Sequence, residues 1–272
     1  MSEADLFSDA PPAVREILAL ARDLAREAGR VHAEGRAESL RVETKSSPTD
    51  LVSQIDHRVE EHIAARLLAE RPDDALLGEE GSLLDGSSGV RWVVDPLDGT
   101  TNYVYDYLQY GPSIGVEVDG ETVVGVIMDS ATGRLYSAVK GLGAECDGRR
   151  VRAREPQGLA RALVATGFSY DAAQRERQGR VVAHVLPRVR DIRRGGAAAV
   201  DLCHIAAGRV DAYWELDLSP WDYTAGALIA REAGAAVELL PAAHGRGPAV
   251  VAAHPALIED FVGLLTEAGA LV

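Results

Sequence analysis

Cysteine is scarce in this chain of 272 residues: there are two, Cys146 and Cys203, and they form no CxxC pair. That excludes a disulfide framework and reads as a pair of reduced thiols. Long apolar runs are missing as well. No stretch reaches the roughly 20 residues that a membrane span needs. The opening residues, MSEADLFSDAPP, lack the basic start and apolar run of a signal peptide. These absences predict a cytoplasmic protein with no membrane contact.

Positive charge is the next shortage. Lys and Arg number 28 against 42 Asp and Glu, for a net charge of −14. An acidic field repels polyphosphate backbones, so nucleic-acid binding is a poor candidate for the main activity. The same field repels a small anionic substrate unless bound cations invert its sign locally. The chain also has no GxSxG elbow, HExxH helix or GxxxxGK[ST] phosphate loop. Fixed-period repeats and low-complexity linkers are absent too. What remains is ordinary globular composition, 47% hydrophobic and 26% charged, with enough length for one large or two modest cores.

Pro11–Pro12 open a helix-period segment with Ile17, Leu18, Leu20, Ala21, Leu24 and Val31 along one side. RVETKSSPTD reads as a short strand and turn. Asp50 then reads as the N-cap of a second helix that stops at Pro72. ALLGEE and VRWVVD have the look of buried strands. From Ser113 to Val151 a β-meander is expected, with hairpin turns at Asp119-Gly120 and Thr132-Gly133. Beyond Pro156 strands and helices alternate, and a helix begins at Ser219-Pro220. The change of pattern divides the chain into residues 1–155, an α+β subdomain carrying most candidate acids, and 156–272, an α/β subdomain completing the site.

The acids fall where strands and helices end. Glu79 and Glu80 follow one strand, Asp95 ends another, Asp98 comes after the stiff corner at Pro96, and Asp222 sits in the first turn of a helix. Each has a bland reading. Asp-Pro-x-Asp-Gly is commonly a turn, Glu79–Glu80 a solvated loop, and Asp222 a complement to the helix dipole. Together, beside Thr100 and Thr101, they suggest oxygen ligands for hard divalent cations, because unpaired buried carboxylates are costly. Two such cations bridged by one carboxylate make a clamp for phosphoryl transfer.

GEE (78–80), DPLDGTTNY (95–103) and WDYTAG (221–226) resemble the three signature segments of the inositol monophosphatase family. KSSPTDLVSQID (45–56) is similar to its N-terminal motif, and RRGGAAAVDLCHIAAGRVDAYWE (193–215) to its C-terminal helix and strand. The resemblance implies an α+β fold, a layered αβαβα sandwich of the sugar-phosphatase type. It also implies a homodimer and two to three Mg²⁺ ions per site. It further implies metal ligation by Glu79, Asp95, Asp98, Asp222 and the Leu97 carbonyl, with Asp95 bridging. Catalysis falls to Glu79 and Thr100 acting as a pair on water, and phosphate to the amides of Gly99 and Thr100. Substrate hydroxyls fall to Asp98, Ala198 and Glu215, although Glu215 also reads as a surface residue.

Lys45, Asp50 and Asp56 match the N-terminal motif, with Asp50 readable as a cap alone. Arg193–Arg194 could face phosphate or a dimer or domain contact. His57, His62 and His204 lack metal spacing. The segment after Tyr103 departs from many relatives at Tyr105-Asp106 and Leu108, and the loop after Glu80 is short. The expectation is a Mg²⁺-dependent, lithium-sensitive phosphomonoesterase for myo-inositol 1-phosphate, a small phosphorylated polyol. Alternatives on the same fold are histidinol phosphate, fructose 1,6-bisphosphate and 3′-phosphoadenosine 5′-phosphate. The alternative of another class is a regulatory interaction protein.

Overall fold

Pro12 stands at the first helical position of α1 (Pro12–Gly35), where its missing N–H and fixed φ cost nothing. Ile17, Leu18, Leu20, Ala21 and Leu24 are buried along one face of that helix. The computed structural model describes residues 6–37, 41–45, 47, 49–243, 245 and 247–272. Residues 1–5 of the acidic N-terminus, and Ser46 and Pro48 of the expected turn, lie outside the described residues.

A two-stranded ribbon, β1 (Val42–Thr44) and β2 (Leu51–Ser53), leads into α2 (Gln54–Glu70). The helix therefore starts later than Asp50 predicts. Ser53 is the N-cap, its hydroxyl accepting from the Ile55 amide at 3.1 Å, while Asp56 accepts from the Ser53 amide at 2.9 Å. This reciprocal box satisfies two helix-end donors at once, and residues 51–53 pair as a strand instead.

The large sheet contains β3 (Ala75–Gly78), β4 (Leu83–Leu84), β5 (Val90–Asp98), β6 (Gly111–Val118), β7 (Glu121–Asp129), β8 (Arg134–Val139), β9 (Gly143–Cys146) and β10 (Arg149–Arg150). Its order is β10-β9-β8-β7-β6-β5-β3-β4, antiparallel except where β3 runs parallel to β5. The corner expected after Asp95 is more structured than a turn. Strand β5 continues through Pro96 with a register irregularity between Asp95 and Asp98, as a proline in a sheet requires. Gly99, at φ 88°, then turns the chain into the short helix α3 (Thr100–Val104). That left-handed conformation suits a residue without Cβ.

The second sheet contains β11 (Leu163–Thr166), β12 (Asp191–Arg193), β13 (Ala212–Leu216), β14 (Ala236–Pro241) and β15 (Pro248–Ala253), in the order β12-β11-β13-β15-β14. Helices α4 (Ala172–Val185), α5 (Ala198–Ala206), α6 (Pro220–Glu232) and α7 (Pro255–Glu267) complete the chain. Helices α1 and α2 cover one face of the large sheet. Helices α5 and α6 lie between the sheets, and α7, with α4 beside it, covers the outer face of the second. The layers are αβαβα, as expected.

Helix α6 sits unusually close to the large sheet. A Cβ on Gly125 of β7 would stand 2.7 Å from the carbonyl oxygen of Ala225. The absent side chain thus sets how near the start of α6, and Asp222 with it, comes to the sheet.

Candidate active site

Parallel pairing sets Gly78 of β3 opposite Val94 of β5, and the Glu79 amide donates to the Val94 carbonyl at 3.1 Å. The next residue on each strand carries an acid, so Glu79 and Asp95 emerge together at one sheet edge. Asp95 is also the register partner of Ser113 on β6. The Ser113 hydroxyl donates to the Trp221 carbonyl at 3.1 Å, which ties the beginning of α6 to the same spot. Asp222 follows, fixed by the Ser219 amide donating to its Oδ2 at 2.6 Å. Asp98 accepts from the amide of Ala199, in the first turn of α5, at 2.7 Å. Four acids from two strand ends and a helix start thereby face one junction.

Their proton affinities record the crowding. Burial raises Asp95 well above the usual carboxylate range, and Glu79, Asp98 and Asp222 push it further. Asp222 is raised by burial, then by Glu79 and Asp98. Asp98 is pushed up to about 7 by burial, with Glu215 and Glu79 adding to it against the pull of the Ala199 amide. Charges that resist ionising together call for cations, and an all-oxygen donor set suits a hard divalent ion. The acids are not drawn into a closed cage. Among the described residues no three His, Cys, Asp or Glu side chains are already gathered to hold an ion. Asp95 accepts from the Leu97 amide at 2.9 Å, and Glu79 from the Lys45 ammonium at 2.9 Å.

The Thr100 hydroxyl is held by a second carboxylate, Asp56, with Oγ1 2.8 Å from Oδ1, and the Leu97 carbonyl lies 3.1 Å away. Asp56 is buried, which raises its proton affinity despite the Ser53 and Thr100 hydrogen bonds. The same carboxylate that starts α2 therefore orients the hydroxyl at the start of α3.

A cleft of about 420 Å³ opens over the junction, lined by Lys45, Glu79, Asp98, Arg194, Glu215 and Asp222 among others. Asp50 and Ala198 also reach it. Asp95, Leu97, Gly99 and Thr100 lie buried beneath. Glu215 accepts from the Tyr213 hydroxyl at 2.8 Å, and burial raises it while Tyr213 and Arg194 hold it down. Of the two arginines, Arg194 faces the cleft, whereas Arg193 pairs with Asp191 at 2.6 Å on the outside. His62 meets Glu27 at 2.8 Å, between α1 and α2.

Two supporting residues escaped the sequence. Glu60 on α2 is buried and accepts from the amides of Glu80 and Ser82, each at 2.8 Å, holding the turn that carries Glu79. His32 on α1 is buried, with Nε2 3.1 Å from the Pro96 carbonyl. Both sit on the buried faces of their helices, among positions that mostly carry apolar residues, and a polar residue type there reads as surface until the neighbouring burial is known. Lys45 adds a second contact, to Glu80 at 2.5 Å, and burial pushes Glu80 up to about 7 although Lys45 opposes it. The departing segment carries exposed Tyr105, Tyr107 and Leu108, and Asp106 pairs with Arg36.

The model of the inositol monophosphatase family matches residues 13–261. A Mycobacterium tuberculosis protein named inositol-1-monophosphatase SuhB is 47% identical over 234 residues, covering 82% of this chain and 81% of its own. A Vibrio cholerae protein named Nus factor SuhB is 38% identical over 224 residues, covering 81% and 84%. The crystal structure of the extragenic suppressor protein suhB from Bartonella henselae superposes with a TM-score of 0.84 at 33% identity, over 93% of this chain and 98% of that one.

Proposed function

We propose, from the premise that this chain belongs to the inositol monophosphatase family, that it is a Mg²⁺-dependent phosphatase hydrolysing myo-inositol 1-phosphate. The observation that carries this reading is the convergence of Glu79, Asp95, Asp98 and Asp222 beside the paired Thr100 and Asp56. Glu79, Asp95 and the Leu97 carbonyl would hold one ion, and Asp95, Asp98 and Asp222 a second. A third, weaker ion would lie at Glu79. When bound, Mg²⁺ supplies positive charge to the phosphate and acidifies water.

The chain's own groups do the rest. Acting with Glu79 on the attacking water, Thr100 Oγ1 accepts its proton while passing its own to Asp56, whose raised affinity suits a proton acceptor. The water oxygen bonds to phosphorus as the ester P–O bond breaks, and the leaving alkoxide takes a proton from water. The amides of Gly99 and Thr100, at the start of α3, offer donors to phosphate oxygens. Arg194 brings a fixed positive charge to a cleft otherwise crowded with acids. Glu215, with one oxygen engaged by Tyr213, keeps the other for a substrate hydroxyl. Asp98 and Ala198 border the same wall. The working form is a cytoplasmic homodimer.

The name of the Vibrio relative, Nus factor SuhB, favours a second reading as a regulatory interaction protein on the same scaffold. Phosphate release by purified protein separates the two. Turnover of inositol 1-phosphate that needs Mg²⁺ and exceeds that on histidinol phosphate, fructose 1,6-bisphosphate and 3′-phosphoadenosine 5′-phosphate supports the first. Absence of metal-dependent release on the whole panel sinks it. Lithium inhibition, uncompetitive or mixed toward substrate, is expected alongside.

A further inference from the structure

A second cavity, of about 480 Å³, lies at the other end of α5, where strands β8 to β10 meet the turn after that helix. Arg134, Arg149 and Arg209 line it together with Tyr136, Cys146 and Asp147. Three arginines and one carboxylate give the lining a net of two positive charges in a protein whose net charge is −14. None of the three arginines forms an ion pair with a described residue. Asp147 is partly occupied already, accepting from the Leu135 amide at 3.0 Å. The last carbonyls of α5 are also taken: the Gly208 amide donates to Ile205 and the Arg209 amide to His204. The negative end of the helix dipole is therefore capped rather than bare.

An independent observation comes from the floor. Tyr136 is fully buried, and its hydroxyl has no hydrogen-bond partner. The Cys146 thiol lies near enough to influence it, but a thiol is too weak a partner to replace a normal one. Burial keeps both groups protonated at neutral pH: it drives the phenol well above its usual value and the thiol up to about 11. An unsatisfied buried hydroxyl is costly, so it marks a place where an acceptor from outside completes the structure.

We infer that this cavity is a second anion site, which binds a small molecule carrying a diphosphate. The arginines take the outer oxygens in charge-assisted hydrogen bonds, and the Tyr136 hydroxyl donates to an oxygen at the floor. The volume lies within the range of small-molecule sites. The site shares no residue with the catalytic cleft, so it is independent of the function proposed above.

Calorimetric titration with inorganic pyrophosphate, on protein kept in EDTA, tests this. Without cations the acids of the cleft repel the probe, so binding there is suppressed. One equivalent of pyrophosphate is expected to bind. Arg134→Gln and Arg209→Gln should each weaken it roughly tenfold or more, and so should Tyr136→Phe, the loss of one hydrogen bond to a charged group. Phosphatase activity of the arginine variants should stay at the wild-type level. Titration with ADP separates the sources of the diphosphate: tighter binding than pyrophosphate assigns a nucleotide, equal binding the diphosphate alone. No binding at millimolar pyrophosphate overturns the inference. So does full retention of binding in the arginine variants. Tyr136→Phe binding unchanged, with a melting temperature like wild type, reduces the site to a charged surface and overturns it too.

Discussion

The imidazole of His32 holds the carbonyl of Pro96, at 3.1 Å, from the far side of the acid-bearing strand. That carbonyl can only accept, so Nε2 carries the hydrogen, and Nδ1 accepts from the Ser130 hydroxyl at 2.9 Å. A buried neutral histidine on α1 thus fixes the residue between Asp95 and Leu97.

Burial depresses His32 to about 4 from 6.5. The native state stays neutral where the unfolded chain takes a proton, so stability is full above pH 6.5 and is lost as pH falls towards 4. The integrated contribution is about 3 kcal/mol. His32→Leu removes both the hydrogen bonds and this dependence. In urea titrations the gap between wild type and variant should narrow by about that amount from pH 7 to pH 4. Parallel curves would mean that His32 takes up a proton in the native state as readily as in the unfolded chain.

Asp95→Asn should nearly abolish turnover while leaving the fold intact. The metal-free variant should melt no lower than wild type, because Glu79, Asp98 and Asp222 lose a repelling neighbour. Retention of more than about a tenth of wild-type kcat/KM puts at most ~1.4 kcal/mol of barrier at stake and rules out a bridging role.

Metal-free protein should lose stability as pH rises. Asp98 has its native affinity raised to about 7 from 3.8, and Asp95 and Asp222 shift the same way. The native state binds more protons than the unfolded chain, so the contribution is full below pH 3.8 and is lost progressively as pH rises through 7 for Asp98, and at higher pH for Asp95 and Asp222, which are raised further. Between about pH 6.5 and 8, where His32 no longer titrates, the melting temperature in EDTA should fall. Millimolar Mg²⁺ should remove most of the decline. A flat profile in EDTA would show that neither burial nor the neighbouring acids raise these proton affinities in the native state.

Glu215→Ala should reduce kcat/KM for inositol 1-phosphate by roughly ten- to a hundredfold, the loss of a hydrogen bond to a charged group. An aryl phosphate offers no hydroxyl and should be hydrolysed almost as before. Equal losses on both substrates would point to disturbance of the acid cluster through Asp98, which Glu215 influences.

Gly125→Val should destabilise by about 1–3 kcal/mol, since the new side chain meets backbone at the Ala225 carbonyl. Activity should fall with it, because the displaced α6 carries Asp222. Undiminished stability in chemical denaturation would mean that the layers part more easily than their close approach implies.

The acids were legible in the sequence because each ends a strand or starts a helix, where a carboxylate has no packing reason to be. The layered fold came from family resemblance, since alternating patterns alone leave the order of the sheets open. The partner of Thr100 was not legible: Asp56 is 44 residues away, and the resemblance marked it as part of the N-terminal motif without a contact to Thr100. The Ser53–Asp56 box was present in SQID, but Asp50 offered an equally good cap three residues earlier. Strand β14 was overlooked because AVELLP follows a helix directly and ends in proline. Arg193 and Arg194 are equivalent in sequence, and only strand β12 decides which one turns to the cleft.

The acids come from positions more than half the chain apart, Glu79 on the first sheet and Asp222 on the layer between the sheets. No early fragment contains the site, so it exists only after the last layer has docked. An ion held there would tie the two layers together at the seam between them. Its effect should therefore appear in the speed of unfolding rather than of folding, and loading with metal should lengthen the lifetime of the native state against proteases.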